Sequence, residues 1–390
     1  MNILFIQPHY IPAFSCGGIV YATQFQAECL SKSDHNVTIL TTDVLDLNNR
    51  INCLHEYING VEVVRFRNFH NHFARQFNFY NGFGVKKWAV DNIHKYDVVH
   101  ISDVFSYFFI KPILELCLEY DIPYLLQTHG MLIKSNFDSN RLLKIPKAII
   151  IKMLRPYYLK AGAYISVSDI ETDSLLEYFD KDKIVKITNG IKIQRGLIKI
   201  DKSGKIKLCT LGRLSYVKGI ERAIKLVVEL YKHNPELEYL IYGPAERFYD
   251  VKLQNLINSL GAESYIKLMG PVYEDKKFQT LSEMDLFLMS SYGEAQPIAV
   301  IESISVETPV LASNEAYLSE YEGYKCVRKI DYDKPDIREL LSLIEDRRNI
   351  SSMADDCHKL LEDKYDESVL INRLEELYKK VIMNNKPVKK

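Results

Sequence analysis

The chain has a single tryptophan in 390 residues, and its seven cysteines include no Cys-x-x-Cys pair. They lie scattered at positions 16, 29, 53, 117, 209, 326 and 357, an odd number without zinc-ligand spacing. A disulfide framework and a spaced zinc site are thereby excluded, and the cysteines read as reduced thiols of a cytoplasmic protein. There is no excess of either charge, with 50 basic against 51 acidic residues. The protein as a whole is therefore no polyanion binder, although a local basic patch remains compatible with that balance. No segment approaches the roughly 20 apolar residues that cross a bilayer. Met1 leads straight into "NILFI", without a charged leader and a cleavage site, so no signal peptide is expected. The first strand–helix turn lacks Gly-x-Gly-x-x-Gly and offers only Gly17-Gly18, which argues against a dinucleotide-dependent oxidoreductase.

What is present is a rhythm. "NILFI" (2–6), "NVTILTT" (36–42), "DVVHIS" (97–102), "PYLLQT" (123–128) and "AYISVS" (163–168) are short apolar runs separated by helical patterns. A second series follows in "KIKLCTLG" (205–212), "EYLIYG" (238–243), "YIKLMG" (265–270), "DLFLMS" (285–290) and "PVLAS" (309–313). Runs rich in Val, Ile and Leu without clean alternation suit parallel strands covered on both faces. Alternation of strands and helices predicts α/β architecture in two Rossmann-like, doubly wound domains. The weakly periodic stretch 191–204 sets the boundary, giving one domain at 1–190 and a second at 191–365. In the tail, Leu370, Leu374, Leu377 and Val381 share one face of an amphipathic helix within about 366–390 that is expected to lean back on the first domain.

Two stretches carry the chemistry. In "LGRLSYVKGIERAIKLVVELY" (211–231) a strand ends, Gly212 and Arg213 follow, and Lys218-Gly219 opens a helix. A helix N-terminus beyond a strand's carboxyl end is an anion site. Arg213 and Lys218 add two cations there, enough with backbone amides to hold a diphosphate; otherwise they are solvated surface charges. In "GEAQPIAVIE" (293–302), Pro297 stands where a first helical turn tolerates proline. Glu294 lies in the preceding loop and Glu302 in the helix's second turn, where a carboxylate can take ribose hydroxyls. Taken singly, each glutamate reads more simply as a surface acid.

"GRLSYVKG" and "DLFLMSSYGEAQPIAVIESISVETPVLAS" together resemble the retaining glycosyltransferases of family 4, which have the two-domain GT-B fold. Glu294 and Glu302 fit that family's Glu-x7-Glu motif. Ala295 replaces the glycine usual after the first glutamate, and Glu307 stands where a glycine is usual. "PHYIPAFSCGGIVYATQFQAECL" resembles the family's N-terminal glycine loop, and "LLQTHGML" the stretch bearing a His-Gly pair, here His129-Gly130. "SVSDIETDSLLEYF" with "ITNGIKI" resembles the end of its first domain.

The resemblance implies an N-terminal acceptor-side domain at 1–190 and a nucleotide-sugar donor-binding domain at 191–365, facing across a cleft that closes over the substrates. Arg213, Lys218, Gly17, Gly18, Pro297 and Ile298 would bind the donor diphosphate, Glu302 the nucleotide ribose, and Ala295 and Gln296 the donor sugar. Glu294 and His129 would act at the sugar, with the departing phosphate taking the acceptor's proton. No Asp-x-Asp stands in a metal-binding context, so neither metal nor cofactor is expected. The nucleotide sugar is then a substrate, the acceptor a glycan or a lipid-linked molecule, and the setting polysaccharide or glycolipid assembly. A sugar-nucleotide epimerase or phosphorylase of the same fold and a non-catalytic nucleotide-binding subunit are the alternatives. No nucleic acid is expected as a partner.

Residues 134–160 hold seven Lys or Arg and one Asp around the apolar run Ile149–Leu154. They suit either peripheral contact with an anionic membrane or a solvated helix, which Pro146 and Pro156 are expected to break into short pieces. The aromatic stretch 66–84, with His70 and His72, is expected to be a loop facing acceptor or membrane, or one whose rings cap the core.

Overall fold

The computed structural model describes residues 1–134, 141–191, 193, 204–246, 248–294, 296–316, 318–365 and 367–385. Of the boundary stretch 191–204, most residues lie outside that set. The chain divides into two compact units: Met1–Gly190 with Glu367–Lys390, and Ile191–Asp366.

In the first unit the order is β1 (Asn2–Ile6), α1 (Gly18–Lys32), β2 (Asn36–Thr42), β3 (His55–Ile58), β4 (Val61–Phe66), α2 (Asn71–Phe77) and α3 (Val85–Asn92). There follow β5 (Val98–Ile101), α4 (Tyr107–Glu119), β6 (Tyr124–Gln127), α5 (Arg141–Tyr158), β7 (Ala163–Ser166), α6 (Asp169–Leu176) and β8 (Ile184–Lys186). The sheet runs β3-β4-β2-β1-β5-β6-β7-β8, parallel except where β3 meets β4. Side chains alternate along each strand, so Leu4 and Ile6 face one core and Ile3 and Phe5 another. The first core lies under α2 to α5, with Phe109, Leu114, Leu154 and Tyr158.

The second unit contains β9 (Ile206–Leu211), α7 (Ile220–Tyr231), β10 (Leu237–Tyr242), α8 (Tyr249–Ser259), β11 (Ile266–Gly270) and α9 (Glu274–Ser282). It continues with β12 (Leu286–Met289), α10 (Ile298–Ser305), β13 (Val310–Ser313), β14 (Val327–Ile330), α11 (Ile337–Glu345) and α12 (Arg347–Lys364). Its sheet order is β11-β10-β9-β12-β13-β14, all parallel. That is the doubly wound order whose direction reverses between the first and fourth strands. The last helix, α13 (Glu367–Asn385), returns to the first unit, where Leu370, Leu374, Leu377 and Val381 join Ile3, Phe5 and Phe25 in the second core.

Two expectations need correcting. Residues 141–158 form one helix that runs through Pro146 and Pro156. Each proline removes one backbone hydrogen bond, at about 3 kcal/mol, and burial of Leu154 and Tyr158 against α4 offsets that loss. The apolar run 149–154 also divides: Leu154 is buried and Ile150 and Ile151 pack on the core, whereas Ile149 and Met153 face solvent. The stretch 66–84, in turn, is not a plain loop. It contains α2, with Phe66 and Tyr80 buried and Phe69, Phe73, Phe77, Phe79 and Phe83 exposed.

Candidate active site

The loops after β9 and β12 spring from neighbouring strands on either side of the point where the second sheet reverses its order. A crevice at that point is where open α/β sheets place ligands. The loops are tied together by short contacts. The Tyr292 amide donates to the Val217 carbonyl (2.9 Å), and Ser290 Oγ donates to the Lys218 carbonyl (3.0 Å). Gly219, at φ 58°, allows the closest approach: a Cβ there would lie 2.3 Å from the Ser290 carbonyl oxygen.

On this scaffold Lys218 ends a short 3-10 turn, Tyr216–Lys218, and its ammonium bonds the Glu294 carboxylate across the two loops. Ser291 Oγ donates to the same carboxylate at 3.3 Å. Arg213 extends from the first loop to Glu246 at 2.8 Å, both about half exposed. The sequence had assigned Lys218 and Glu294 to different parts of the donor; in the protein they are each other's partners. The two cations and Glu302 are not joined in one cluster either, because Glu302 is buried and pairs with Lys277 of α9. That removes the reading of Glu302 as a solvated helix acid.

Pro297 is the residue before the first turn of α10 rather than inside it, with φ −73° and ψ 111°. Ile298 opens the helix and is buried. Gln296 turns its side chain into the unit, where the amide donates to the hydroxyl of buried Tyr365 at 3.3 Å. Ala295 lies outside the described residues.

In the first unit, Gly17 precedes α1 with φ 98° and ψ −164°, a conformation essentially restricted to glycine, and Gly18 begins the helix. The loop carrying them follows β1, which neighbours β5 at that sheet's own reversal. His129 follows β6 in the left-handed region (φ 47°), beside Gly130 (φ 77°). Both its ring nitrogens are shielded from solvent. Burial pushes the imidazole pKa down to about 3, against the opposing effect of the Asn189 side chain, so the ring is neutral at physiological pH.

Three residues of these sites carry no sequence signal. Glu171 of α6 is buried and accepts from Thr128 Oγ1, the Gly130 amide and the Val167 amide, clamping the turn that holds His129. Burial is the largest influence on its carboxyl and raises its pKa, with those three bonds working the other way. Arg222 of α7 is buried, bonds Glu315 and Asp333 at 3.1 Å each, and lies over the Tyr292 ring at 4.8 Å. It braces the second loop from beneath. Lys277 is the third. Their bonds to Thr128, to Glu315 and Asp333, and to Glu302 join distant parts of the chain, and spacing does not encode that. Among the described residues there is no cluster of three or more metal-ligating side chains and no helix long and apolar enough to cross a membrane.

Two family models tile the chain. "Glycosyl transferases group 1" matches residues 198–377, and "Glycosyltransferase Family 4" matches residues 16–195. The chain belongs to glycosyltransferase family 4. Among its relatives is an uncharacterised glycosyltransferase of Methanocaldococcus jannaschii, 27% identical, with 82% of each chain covered. Another is the alpha-monoglucosyldiacylglycerol synthase of Streptococcus pneumoniae, 23% identical over 86% of this chain and 76% of that one. Sucrose-phosphate synthase from Thermosynechococcus elongatus has the same fold, with a TM-score of 0.81 at 14% identity, covering 98% of this chain and 99% of that one. So does Anabaena HepE in complex with UDP-glucose, with a TM-score of 0.72 at 16% identity, covering 96% and 98%. This family 4 glycosyltransferase therefore has the GT-B architecture of two Rossmann-like domains.

Proposed function

We propose that this glycosyltransferase moves a hexose from a nucleoside diphosphate donor to a hydroxyl acceptor with retention of configuration. The observation that carries the reading is the Lys218–Glu294 pair spanning two loops at the sheet's reversal point. A diphosphate arriving there meets Lys218, Arg213 and the N-termini of α7 and α10, which supply partial positive charge. It takes over the ammonium from Glu294 and leaves that carboxylate to the donor sugar. Glu302 takes the ribose, and His129 and the Gly17-Gly18 turn act at the sugar and phosphate, as the family resemblance implies.

In the reaction, the bond between the anomeric carbon and the phosphate oxygen breaks. The acceptor oxygen bonds that carbon from the same face, and its proton passes to the departing phosphate. Negative charge grows on the leaving group, where fixed cations and oriented amides stabilise a transition state most. The same cations make a divalent ion unnecessary, so turnover is expected to persist in EDTA. Loss of turnover restored by magnesium or manganese contradicts that part of the proposal.

Thermal melting against UDP, GDP, ADP and their common sugars identifies the donor, since a ligand at 100 times its Kd stabilises by about 2.7 kcal/mol. The HepE complex makes UDP-glucose the first to try. Proton NMR of the product then reads the anomer. Retention supports the assignment, and an inverted product sinks it.

We further propose cytoplasmic polysaccharide or glycolipid assembly as the setting, with peripheral contact at an anionic membrane. Ile145, Ile149 and Met153, four residues apart on α5, are 70%, 52% and 47% exposed, and Lys152 and Arg155 are exposed among them. An apolar line among cations on a helix that already buries its inner face suits an interfacial helix. One relative's name points to a glycolipid product. Co-sedimentation with anionic vesicles at low salt is expected; protein left in the supernatant ends this part.

A further inference from the structure

Lys277 occupies an unusual place for a lysine. On α9 it shares the inward face with Thr280 and Leu281, and only 2% of its side chain is exposed. A helix of this kind ordinarily puts an apolar residue there. Its Nζ reaches Glu302 Oε1 at 2.5 Å, and 5% of the Glu302 side chain is exposed. The ammonium also lies 4.9 Å from the ring of Phe278. Neither charge is tolerated alone at such a depth, because an unpaired buried ion neutralises or moves toward water. The pair therefore stands or falls together, and only Glu302 belongs to the family's motif.

We propose that Lys277 is the positioning residue for nucleoside recognition: through its buried ion pair it fixes the Glu302 carboxylate to accept the vicinal hydroxyls of the donor's ribose. The proposal rests on the assignment of Glu302 to the ribose. An ionised carboxylate accepts only, and offers about four lone-pair sites. One serves Lys277. A ribose 2′,3′-diol donates two hydrogens and needs two of the rest. Without the ammonium the carboxylate loses the partner that fixes its orientation, and the two acceptor sites the diol needs are no longer aimed together at it.

The test compares two ligands by calorimetry: whichever of UDP, GDP or ADP the wild-type protein binds most tightly, and its 2′,3′-dideoxy counterpart. Lys277→Met is expected to weaken the ribonucleotide about tenfold or more and to leave the dideoxy nucleotide unchanged, and Glu302→Gln is expected to give the same pattern. If Lys277→Met weakens both nucleotides equally, the lysine merely supports the fold and the proposal is overturned. If it weakens neither while Glu302→Gln is selective, the ribose assignment stands and the proposal fails. If Glu302→Gln also shows no selectivity, or if no nucleotide binds wild type, the assignment itself is lost and the proposal with it. Should the Met variant not melt cooperatively, Lys277→Gln, which keeps a hydrogen-bond donor without the charge, is read on the same two ligands.

Discussion

Glu294 and Lys218 form an ion pair largely shielded from water, with side chains 19% and 25% exposed. A glutamine at 294 keeps an oxygen that accepts from Lys218 and Ser291, so the fold loses little of its hydrogen bonding. Under the proposed function the value of the charge is to the reaction. Glu294→Gln is expected to keep the wild-type melting temperature while kcat/KM falls roughly ten- to 150-fold, the range of one charge-assisted hydrogen bond of about 1.5–3 kcal/mol. A variant that melts early, or that transfers sugar at the wild-type rate, contradicts this role. His100 supports a separate prediction. It is fully buried against Phe5, its Nδ1 lies 2.7 Å from the Tyr378 hydroxyl, and burial lowers its pKa to about 3, with nearby His129 adding to the effect. A histidine whose folded pKa lies below its unfolded value of about 6.5 stabilises fully above that value and progressively less as pH falls toward 3. Stability should therefore decline below about pH 6.5, with His100 contributing a slope of up to about 1.4 kcal/mol per pH unit. The difference between wild-type and His100→Asn denaturation curves at pH 7 and pH 5 measures it, and a difference that does not change with pH contradicts it. At this scale Lys218, Glu294 and Glu302 were visible in the sequence because strand, loop and helix signals flank them. The residues that hold the site were not: Glu246, which pairs with Arg213, Lys277, which pairs with Glu302, and Arg222 beneath Tyr292 are brought there only by folding, and a buried lysine on α9 has no distinctive spacing.

Among the elements, the turn from β9 to α7 does most to place the site. Gly219 is held at φ 58° against the Ser290 carbonyl. An alanine there meets that oxygen at 2.3 Å, and the two loops must part. Gly219→Ala is expected to lower stability by about 1–3 kcal/mol and to abolish the thermal shift given by nucleotide. Gly17→Ala tests the contrasting case, because a Cβ there meets nothing within 4 Å and only backbone strain opposes it. Melting curves without nucleotide separate the two, and an equal loss of stability rules out the close-approach explanation. The central parallel strands were legible as apolar runs. β3, β4, β8 and β14 were not, because edge and near-edge strands alternate or are too short; β3, for instance, reads exposed and half-buried by turns along His55–Ile58. The prolines of α5 misled for a related reason. Local preference opposes a helix there, and packing of Leu154 and Tyr158 prevails.

For the whole molecule, the chain leaves the first unit and returns to it. Leu370, Ile371, Leu374, Leu377, Tyr378 and Val381 of α13 are all buried in that unit's second core. At roughly 1.5–3 kcal/mol per large apolar side chain, their loss is comparable to the whole net stability of an ordinary domain, about 5–15 kcal/mol. Truncation after residue 366 should remove the cooperative melting of the first unit, and an unchanged melting profile contradicts that. The apolar face of this helix was plain in the sequence, as was the expectation that it leans back on the first domain. The residues it meets there, Ile3, Phe5 and Phe25, were not, since a stripe of leucines does not name its partners. The central claim concerns the second unit: Lys218 at the reversal of its sheet grips a diphosphate. Calorimetric titration of wild type and Lys218→Ala with whichever of UDP, GDP or ADP wild type binds most tightly, and with its nucleoside, tests it most directly. The account predicts a loss of ten- to 150-fold in affinity for the diphosphate, about 1.5–3 kcal/mol, with nucleoside binding unaltered. Equal affinity of the two proteins for the diphosphate would contradict it.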